Sequence, residues 1–228
     1  MNTLKKSKLF LVLTIHRSGS SAVAGVLNIL GVHMGQNLLQ ASPANAKGCF
    51  ENINFILLNE KILEIFNVTW GTPCSRREML ISKEQLIKSQ HLLHTSQFFN
   101  NEIKPIWGLK DPRIILTFDI WKPYLEAFSE VTYIFVWRSL EESIKSLSYR
   151  DNISLIDARN ILNIYYKNLI YYKNELMREN KDVIDIHFED LLKEPEIFIE
   201  KINHRMNMYY GHNLNQVKEF LDKDLKHF

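Results

Sequence analysis

The sequence predicts an α/β fold: a P-loop-like parallel sheet flanked by helices, with a mostly helical excursion after the first βα unit. Short apolar runs of strand length alternate with longer segments of helical periodicity. The first run leads directly into a turn rich in serine and glycine that opens a helix. No linker divides the 228 residues, of which 46% are hydrophobic, enough for one sizeable core. We expect a single domain over residues 1–228, with the helical excursion at about 35–104.

Four apolar runs are the candidate strands. Leu9–Ile15 and Val131–Trp137 are the clearest, because a nearly continuous apolar run is typical of a strand buried on both faces. Ile106–Leu109 and Val183–Phe188 are shorter candidates. Helical segments separate these runs along the chain, so we expect parallel strands joined by right-handed crossovers.

Helices are predicted between and after these strands. The segments with helical spacing or helix-start signals are Ser20–Leu30, Asn54–Phe66, Ser82–Asn101, Ile114–Phe128, Ser139–Ser148, Ser154–Asn180 and Pro195–Met206, with a loop at Thr69–Arg77. Ser82 with Gln85, and Ser139 with Glu142, have the spacing of a helix-capping signal. Pro123 should kink or end the helix in which it lies.

Composition and charge exclude several classes of protein. The chain has 28 Lys+Arg against 26 Asp+Glu, so it has no general attraction to nucleic acid or to an anionic membrane. Its two cysteines are too few for a disulfide framework and favour a reducing compartment. The apolar run Leu9–Ile15 has seven residues, too short for a transmembrane helix. We expect a soluble, cytoplasmic protein with no nucleic-acid partner and no stable membrane insertion.

The strongest local signal is the loop Thr14–Ser21 between the first strand and the first helix. Amide groups at such a helix start, together with the helix dipole, bind anions. When Gly19 is aligned with the second glycine of a Walker A loop, Ser20 stands in place of the lysine. This disfavours an ordinary ATP or GTP kinase. The alternative is a plain strand-to-helix turn whose serines cap the helix.

Five short segments carry a resemblance to a known family. They are His16–Ser21, Asn45–Asn52, Trp107–Arg113, the pair Arg138 and Ser146, and Phe188–Pro195. In order and spacing they resemble the sulfotransferases that use 3′-phosphoadenosine-5′-phosphosulfate, and the second segment resembles a bacterial branch. The chain departs from the family at Leu140, where the usual motif has proline, and at Ala22, where some branches have an adenine-stacking tryptophan.

The resemblance implies a role for each matching residue. It implies that the phosphosulfate donor binds Arg17, Ser18, Gly19, Ser20, Ser21, Arg138 and Ser146, and that the catalytic residues are Lys110, Arg17 and a base, either Glu51 or His16. It implies no metal, and no close cluster of His, Cys and carboxylate residues has metal-ligand spacing. For Glu51 the alternative is a structural role as the cap of a helix that begins near Asn52.

The implied reaction moves a sulfuryl group from the donor to an acceptor hydroxyl on a small molecule or a glycan precursor. The carbohydrate assignment rests on the bacterial-branch resemblance alone. Two alternatives remain open, a P-loop-type nucleotide kinase and a non-catalytic nucleotide-binding protein. The sequence predicts neither the acceptor's identity nor the oligomeric state.

Overall fold

The computed structural model describes residues 6–41 and 47–221. Its centre is a four-stranded parallel sheet with the order β2-β1-β3-β4. The strands are β1 (Ser7–Leu13), β2 (Ile106–Lys110), β3 (Ser129–Trp137) and β4 (Asp182–His187). All four predicted strands are present, and helices cover the sheet, so the predicted α/β class is confirmed.

The helices pack on both faces of the sheet. They are α1 (Ser20–Ile29), α2 (Ile53–Ile65), α3 (Arg76–Ile81), α4 (Lys83–Thr95), α5 (Phe98–Glu102), α6 (Ile114–Phe128), α7 (Leu140–Asp151), α8 (Leu155–Arg178), α9 (Phe188–Lys193), α10 (Pro195–Met206) and α11 (Leu214–Phe220). Successive residues of β1 point to opposite faces. Leu9 and Leu11 therefore join a core with α2, α6 and α8, whereas Phe10 and Val12 join one with α1, α10 and α11.

The parallel register of the sheet brings the loops that carry the candidate site residues to one edge. In the parallel pairing, Val12 of β1 lies beside Lys110 of β2, and Leu13 lies beside Phe135 of β3. The loops that follow β1, β2, β3 and β4 therefore leave the same edge of the sheet. Ligands in open α/β sheets bind at this carboxyl edge.

The helical excursion differs from the sequence prediction in detail. Helices α2 to α5 lie in it, but the single helix predicted over 82–101 is divided into α4 and α5. The predicted loop at 69–77 is too long, because α3 begins at Arg76. Ser75 and Glu78 form a reciprocal capping box there, and this local signal ends the loop early.

Two helix-capping predictions are wrong in part. Ser82 and Ser139 are both N-cap residues, but neither side chain makes the predicted capping hydrogen bond. Glu142, expected to complete the second capping signal, pairs with Arg138 instead. Helix α6 has the predicted bounds and continues through Pro123 to Phe128, so the proline does not end it. Burial of its apolar face in the core stabilises α6 against the cost of an interior proline.

The segment of residues 32–34, which follows α1, covers β2 at the edge of the sheet. The His33 amide donates to the Ile106 carbonyl at 3.3 Å, and the Gly108 amide donates to the His33 carbonyl at 3.0 Å. Gly108 lies directly under this segment: a Cβ atom added there would be 2.6 Å from Met34 Sδ and 3.0 Å from Val32 Cγ1. The absence of a side chain at Gly108 therefore allows the segment to close over β2.

This contact generates a stability prediction. Gly108→Ala should lower the free energy of unfolding by about 1–3 kcal/mol, because the added methyl group overpacks a buried contact. Urea denaturation of the variant and the wild type would measure the difference. The double variant Gly108→Ala, Met34→Ala should lose less than the sum of the two single variants, since the shortened side chain makes room for the methyl group. Strict additivity would contradict this explanation.

Candidate active site

The loop between β1 and α1 has the geometry of an anion-binding helix start. Gly19 is the N-cap residue of α1, with φ 82°, and no side chain makes a capping hydrogen bond there. A Cβ atom at Gly19 would be 2.2 Å from Cδ2 of Phe188, so glycine is required for both backbone conformation and space. The first amide groups of a helix lack partners within the helix, which leaves them available to an outside acceptor.

The serines of the loop have different surroundings. Ser18 is buried, and its hydroxyl bonds to the Ile15 carbonyl at 3.1 Å and to the Thr14 hydroxyl, so this side chain supports the loop itself. Ser20 is also buried, at the first position of α1. The Ser21 hydroxyl faces β2, where it accepts a hydrogen bond from Lys110 Nζ at 3.3 Å.

The structure brings Arg17, Arg138 and Ser146 together. Arg17 Nε donates to Ser146 Oγ at 2.9 Å, and the Arg17 carbonyl accepts from Arg138 Nη1 at 3.4 Å. Burial, with the nearby Arg150 and Arg138 guanidinium groups, lowers the pKa of Arg17. Arginine nevertheless stays charged at neutral pH. Positive charge is thus concentrated where the loop meets α7.

Lys110 and Glu51 form a buried ion pair beside the phosphate loop. Lys110 Nζ lies 2.5 Å from Glu51 Oε1, and it also donates to the Cys49 carbonyl at 3.3 Å. Glu51 does not cap α2, because Asn52 does so: its side chain accepts hydrogen bonds from the amides of Asn54 and Phe55. The predicted alternative of Glu51 as the helix cap is therefore wrong, and its carboxylate is directed at Lys110.

A second buried network holds the turn after Lys110. Asp111 is fully buried and accepts hydrogen bonds from Arg113 Nη1 at 2.9 Å and from Asn59 Nδ2 at 2.8 Å. The Asn59 carbonyl oxygen accepts in turn from Thr117 and Trp121. Burial raises the pKa of Asp111, whereas the Arg113 guanidinium acts to lower it. The network fixes Arg113 in a structural ion pair and supports the end of β2.

His16 lies behind the loop in an aromatic surround. Its ring centroid is 5.2 Å from that of Trp70 and 5.0 Å from that of Tyr165, and only 6% of the residue is exposed. No described residue forms a hydrogen bond with its buried Nε2 atom. Burial lowers the pKa of His16 well below its ordinary value, and nearby cations lower it further. The cations are Arg150, Arg113, Lys110 and Arg17.

Two residues near this site were given no role in it from the sequence. Arg150 lies one helical turn after Ser146 on α7 and places its guanidinium 5.7 Å from the Trp70 ring centroid. The spacing of four residues on a predicted helix is a signal that could have found it. Phe188, which follows β4, contacts Gly19 and lies 5.5 Å from the Arg138 guanidinium. Its position at the end of a parallel strand was the available signal.

The part of the chain that the structure describes has neither a metal site nor a membrane-spanning helix. Within residues 6–41 and 47–221, no group of three or more His, Cys, Asp or Glu side chains has the arrangement of a metal site. None of the described helices is both long enough and apolar enough to cross a bilayer. Asn45 and Ala46, at the start of one predicted motif, lie outside the described residues.

The lowered pKa of His16 predicts how the stability of the protein depends on pH. Its pKa is lowered in the folded chain, so below about pH 6.5 only the unfolded chain takes up this proton. Wild type should therefore lose about 1.4 kcal/mol of stability per pH unit from this residue as the pH falls below that value. His16→Leu lacks this contribution. Urea denaturation at pH 7.5 and pH 5.5 would show a smaller loss for the variant, and equal losses would contradict the prediction.

The chain is similar to known proteins in its fold and not in its sequence. No protein-family profile matches the chain, and no curated protein matches it by sequence. Among solved structures it is similar to the sulfotransferase domain of the curacin biosynthetic pathway, with a TM-score of 0.50 at 16% identity, over 93% of this chain and 78% of that one. The sulfotransferase domain of the Synechococcus PCC 7002 olefin synthase gives 0.55 at 13% identity, over 100% and 86%.

A third similar structure is the sulfotransferase STF1 from Mycobacterium tuberculosis H37Rv, with a TM-score of 0.51 at 11% identity, over 96% of this chain and 72% of that one. All three proteins are sulfotransferases, and all three similarities extend over nearly the whole of this chain. The fold expected from the sequence motifs is thereby confirmed: the chain has the fold of bacterial sulfotransferase domains.

Proposed function

We propose that the protein is a sulfotransferase that moves a sulfuryl group from 3′-phosphoadenosine-5′-phosphosulfate to an acceptor hydroxyl. The observation that carries the proposal is the hydrogen bond between Arg17 and Ser146, which are 129 positions apart. Each belongs to a different predicted phosphate motif, and the fold joins the two motifs into one site. The sulfotransferase fold supports the same assignment.

The donor would be held at its two ends. The amide groups at the start of α1, with the hydroxyls of Ser20 and Ser21, suit the 5′-phosphosulfate. Arg138 and Ser146 suit the 3′-phosphate, because arginine offers a planar fork to phosphate oxygens. In the structure Arg138 Nε donates to Glu142 at 2.8 Å, and the Glu142 side chain is 49% exposed. Glu142 can turn outward into solvent when a phosphate takes its place.

Lys110, Arg17 and Glu51 would carry the chemistry. The bond between sulfur and the 5′-phosphate oxygen breaks as a bond between sulfur and the acceptor oxygen forms, and the acceptor proton passes to Glu51. Lys110 and Arg17 would stabilise the negative charge that develops on the departing phosphate. This role suits Lys110, because its ammonium group already contacts Ser21 of the phosphate loop.

The choice of Glu51 over His16 as the base rests on charge. A histidine base becomes positive when it takes the proton. Burial, and after it four cationic groups, already lower the pKa of His16, so this is an unfavourable place for another positive charge. A carboxylate becomes neutral on protonation. Once Lys110 engages the donor, the Glu51 carboxylate can accept a hydrogen bond from the acceptor hydroxyl.

A nucleotide kinase is the second candidate, and one observation favours it. Although the loop has Ser20 where a Walker A motif has lysine, Lys110 brings an ammonium group to the same loop from β2. The requirement for metal discriminates between the two functions, since phosphoryl transfer from ATP needs Mg²⁺. We propose metal-independent sulfuryl transfer, in the cytoplasm, and expect turnover to persist in EDTA. Donor binding without turnover would indicate a non-catalytic nucleotide-binding protein.

The acceptor class is the least constrained part of the proposal. The resemblance to a bacterial branch makes the hydroxyl of a sugar or glycan precursor the first class to screen. The screen would incubate protein and donor with sugars, glycosides and phenols, and would measure release of 3′-phosphoadenosine-5′-phosphate. The compound with the fastest release would then serve as the acceptor in the variant assays below.

The proposed donor site predicts a selective binding defect. Arg138→Ala should weaken binding of 3′-phosphoadenosine-5′-phosphate about tenfold to a hundredfold, because a charged hydrogen bond to phosphate is worth about 1.5–3 kcal/mol. Adenosine-5′-phosphosulfate lacks the 3′-phosphate, so its affinity should change little. Calorimetry without magnesium measures both ligands.

The matched control for Arg138 is Glu142→Gln, which removes the carboxylate that competes for Arg138. This variant should bind 3′-phosphoadenosine-5′-phosphate at least as tightly as the wild type. Equal weakening of both ligands by Arg138→Ala would mean that Arg138 does not read the 3′-phosphate, and the donor assignment would fail.

The proposed base predicts a selective catalytic defect. Glu51→Gln keeps the side chain's shape and removes its basicity, so kcat should fall about a hundredfold or more while affinity for the donor product is retained. Steady-state kinetics and calorimetry on the same preparation give the two numbers. His16→Phe is the comparison variant. Near-normal turnover in Glu51→Gln together with an inactive His16→Phe would transfer the role of base to His16.

A further inference from the structure

We propose that Phe220, at the end of α11, is a positioning residue that holds Glu51 in its working geometry. The inference rests on the proposed role of Glu51 as the base. Phe220 is distant from the phosphate loop in sequence and lies in none of the motifs that resemble the sulfotransferase family. Its contacts nevertheless connect α11 to the segment that carries Glu51.

Phe220 contacts this segment through both its backbone and its ring. Lys47 Nζ donates to the Phe220 carbonyl at 2.5 Å and lies 5.3 Å from the Phe220 ring centroid. The Phe50 ring meets the Phe220 ring edge-on, with the centroids 6.1 Å apart and the planes at 81°. Residues at both ends of the stretch 47–50 are therefore held by one side chain.

Helix α11 presents Phe220 from a fixed position on α1. Asn213 Nδ2 donates to the Ile29 carbonyl at 2.6 Å, and Val217 is fully buried beneath the helix. Phe220 lies against Gly25, where an added Cβ atom would be 2.2 Å from its Cζ atom. The start of α11 contacts Ile29 and its end contacts Gly25, so α11 runs antiparallel to α1. Phe220 is therefore nearer than Asn213 to the phosphate loop, where α1 begins.

The contact between the Phe50 and Phe220 rings holds an unfavourable backbone conformation at Phe50. Phe50 has φ 54°, a left-handed conformation that is unfavourable for a bulky residue and persists only when its surroundings impose it. The residues on either side of it, Cys49 and Glu51, both direct oxygen atoms at Lys110 Nζ. Packing of the Phe50 ring against Phe220 thus maintains the turn that aims the Glu51 carboxylate.

Hydrogen exchange tests the contact without any assumption about activity. Phe220→Ala should speed amide exchange in peptides that cover residues 47–52, with smaller changes elsewhere in the chain. Phe220→Leu, which keeps an apolar side chain without adding an atom at the Cζ position that lies against Gly25, should restore part of the wild-type protection. Leu176→Ala on α8 is the control: it opens a cavity in the core on the other face of the sheet, away from α11. Unchanged exchange at residues 47–52 in Phe220→Ala would overturn the proposal.

Kinetics test whether the contact acts through Glu51. Phe220→Ala should lower kcat about tenfold to a hundredfold, the scale expected for a displaced catalytic group, while affinity for 3′-phosphoadenosine-5′-phosphate stays within about twofold. In a Glu51→Gln background the same substitution should cost almost nothing further, because residues that act as a unit are not additive. Leu176→Ala should leave kcat unchanged at temperatures where the variant is folded.

Gly25→Ala perturbs the same contact from the opposite side. The added methyl group displaces the Phe220 ring, yet alanine favours a helix interior more than glycine does. Lower kcat without lower thermal stability would separate positioning from folding.

An additive loss in the Phe220→Ala, Glu51→Gln double variant would overturn the role through Glu51. If the wild type does not cleave the donor, the proposed function fails, and the exchange experiment still decides whether Phe220 holds the segment.

Discussion

The ion pair between Lys110 and Glu51 connects the sheet, the phosphate loop and the excursion. Both groups are removed from water, with side-chain exposures of 3% and 12%. Removing one partner of a buried pair typically costs about 3–5 kcal/mol, because the other charge is left uncompensated. The chain that leaves α1 must therefore return to the end of β2 before α2 begins. The pair thus connects the segment before α2 to the end of β2 and orients a carboxylate beside the phosphate loop.

Backbone strain marks the same place. Of the seven described non-glycine residues with positive φ, five are asparagines, which tolerate this conformation well. The other two are Arg17 and Phe50, one on the phosphate loop and one next to Glu51. Left-handed conformations of such residues persist where surrounding contacts impose them, often at functional sites. Strained backbone on the phosphate loop and next to Glu51 is a second, independent observation that supports the proposed site.

The sequence predicted what depends on local pattern and missed what depends on distant contacts. The apolar runs predicted β1 and β3, and the loop motif predicted where α1 begins, because these signals lie within a few consecutive residues. The pairing of Glu51 with Lys110 was not predictable in this way, since the two residues are 59 positions apart. The contact of Phe220 with Lys47 spans 173 positions and has no local signal at all.

The carboxylate partners explain why the cations of this site differ in what they can bind. Arg113 is paired with Asp111, which is fully buried and bonded to Asn59, so that pair cannot open without leaving a charge in the core. Arg138 is paired with Glu142, whose side chain is 49% exposed and can turn into water at little cost. We therefore expect an arriving phosphate to compete for Arg138 and not for Arg113. On this argument, the burial of the carboxylate partner, more than the charge itself, decides whether an arginine of the proposed site can bind a ligand.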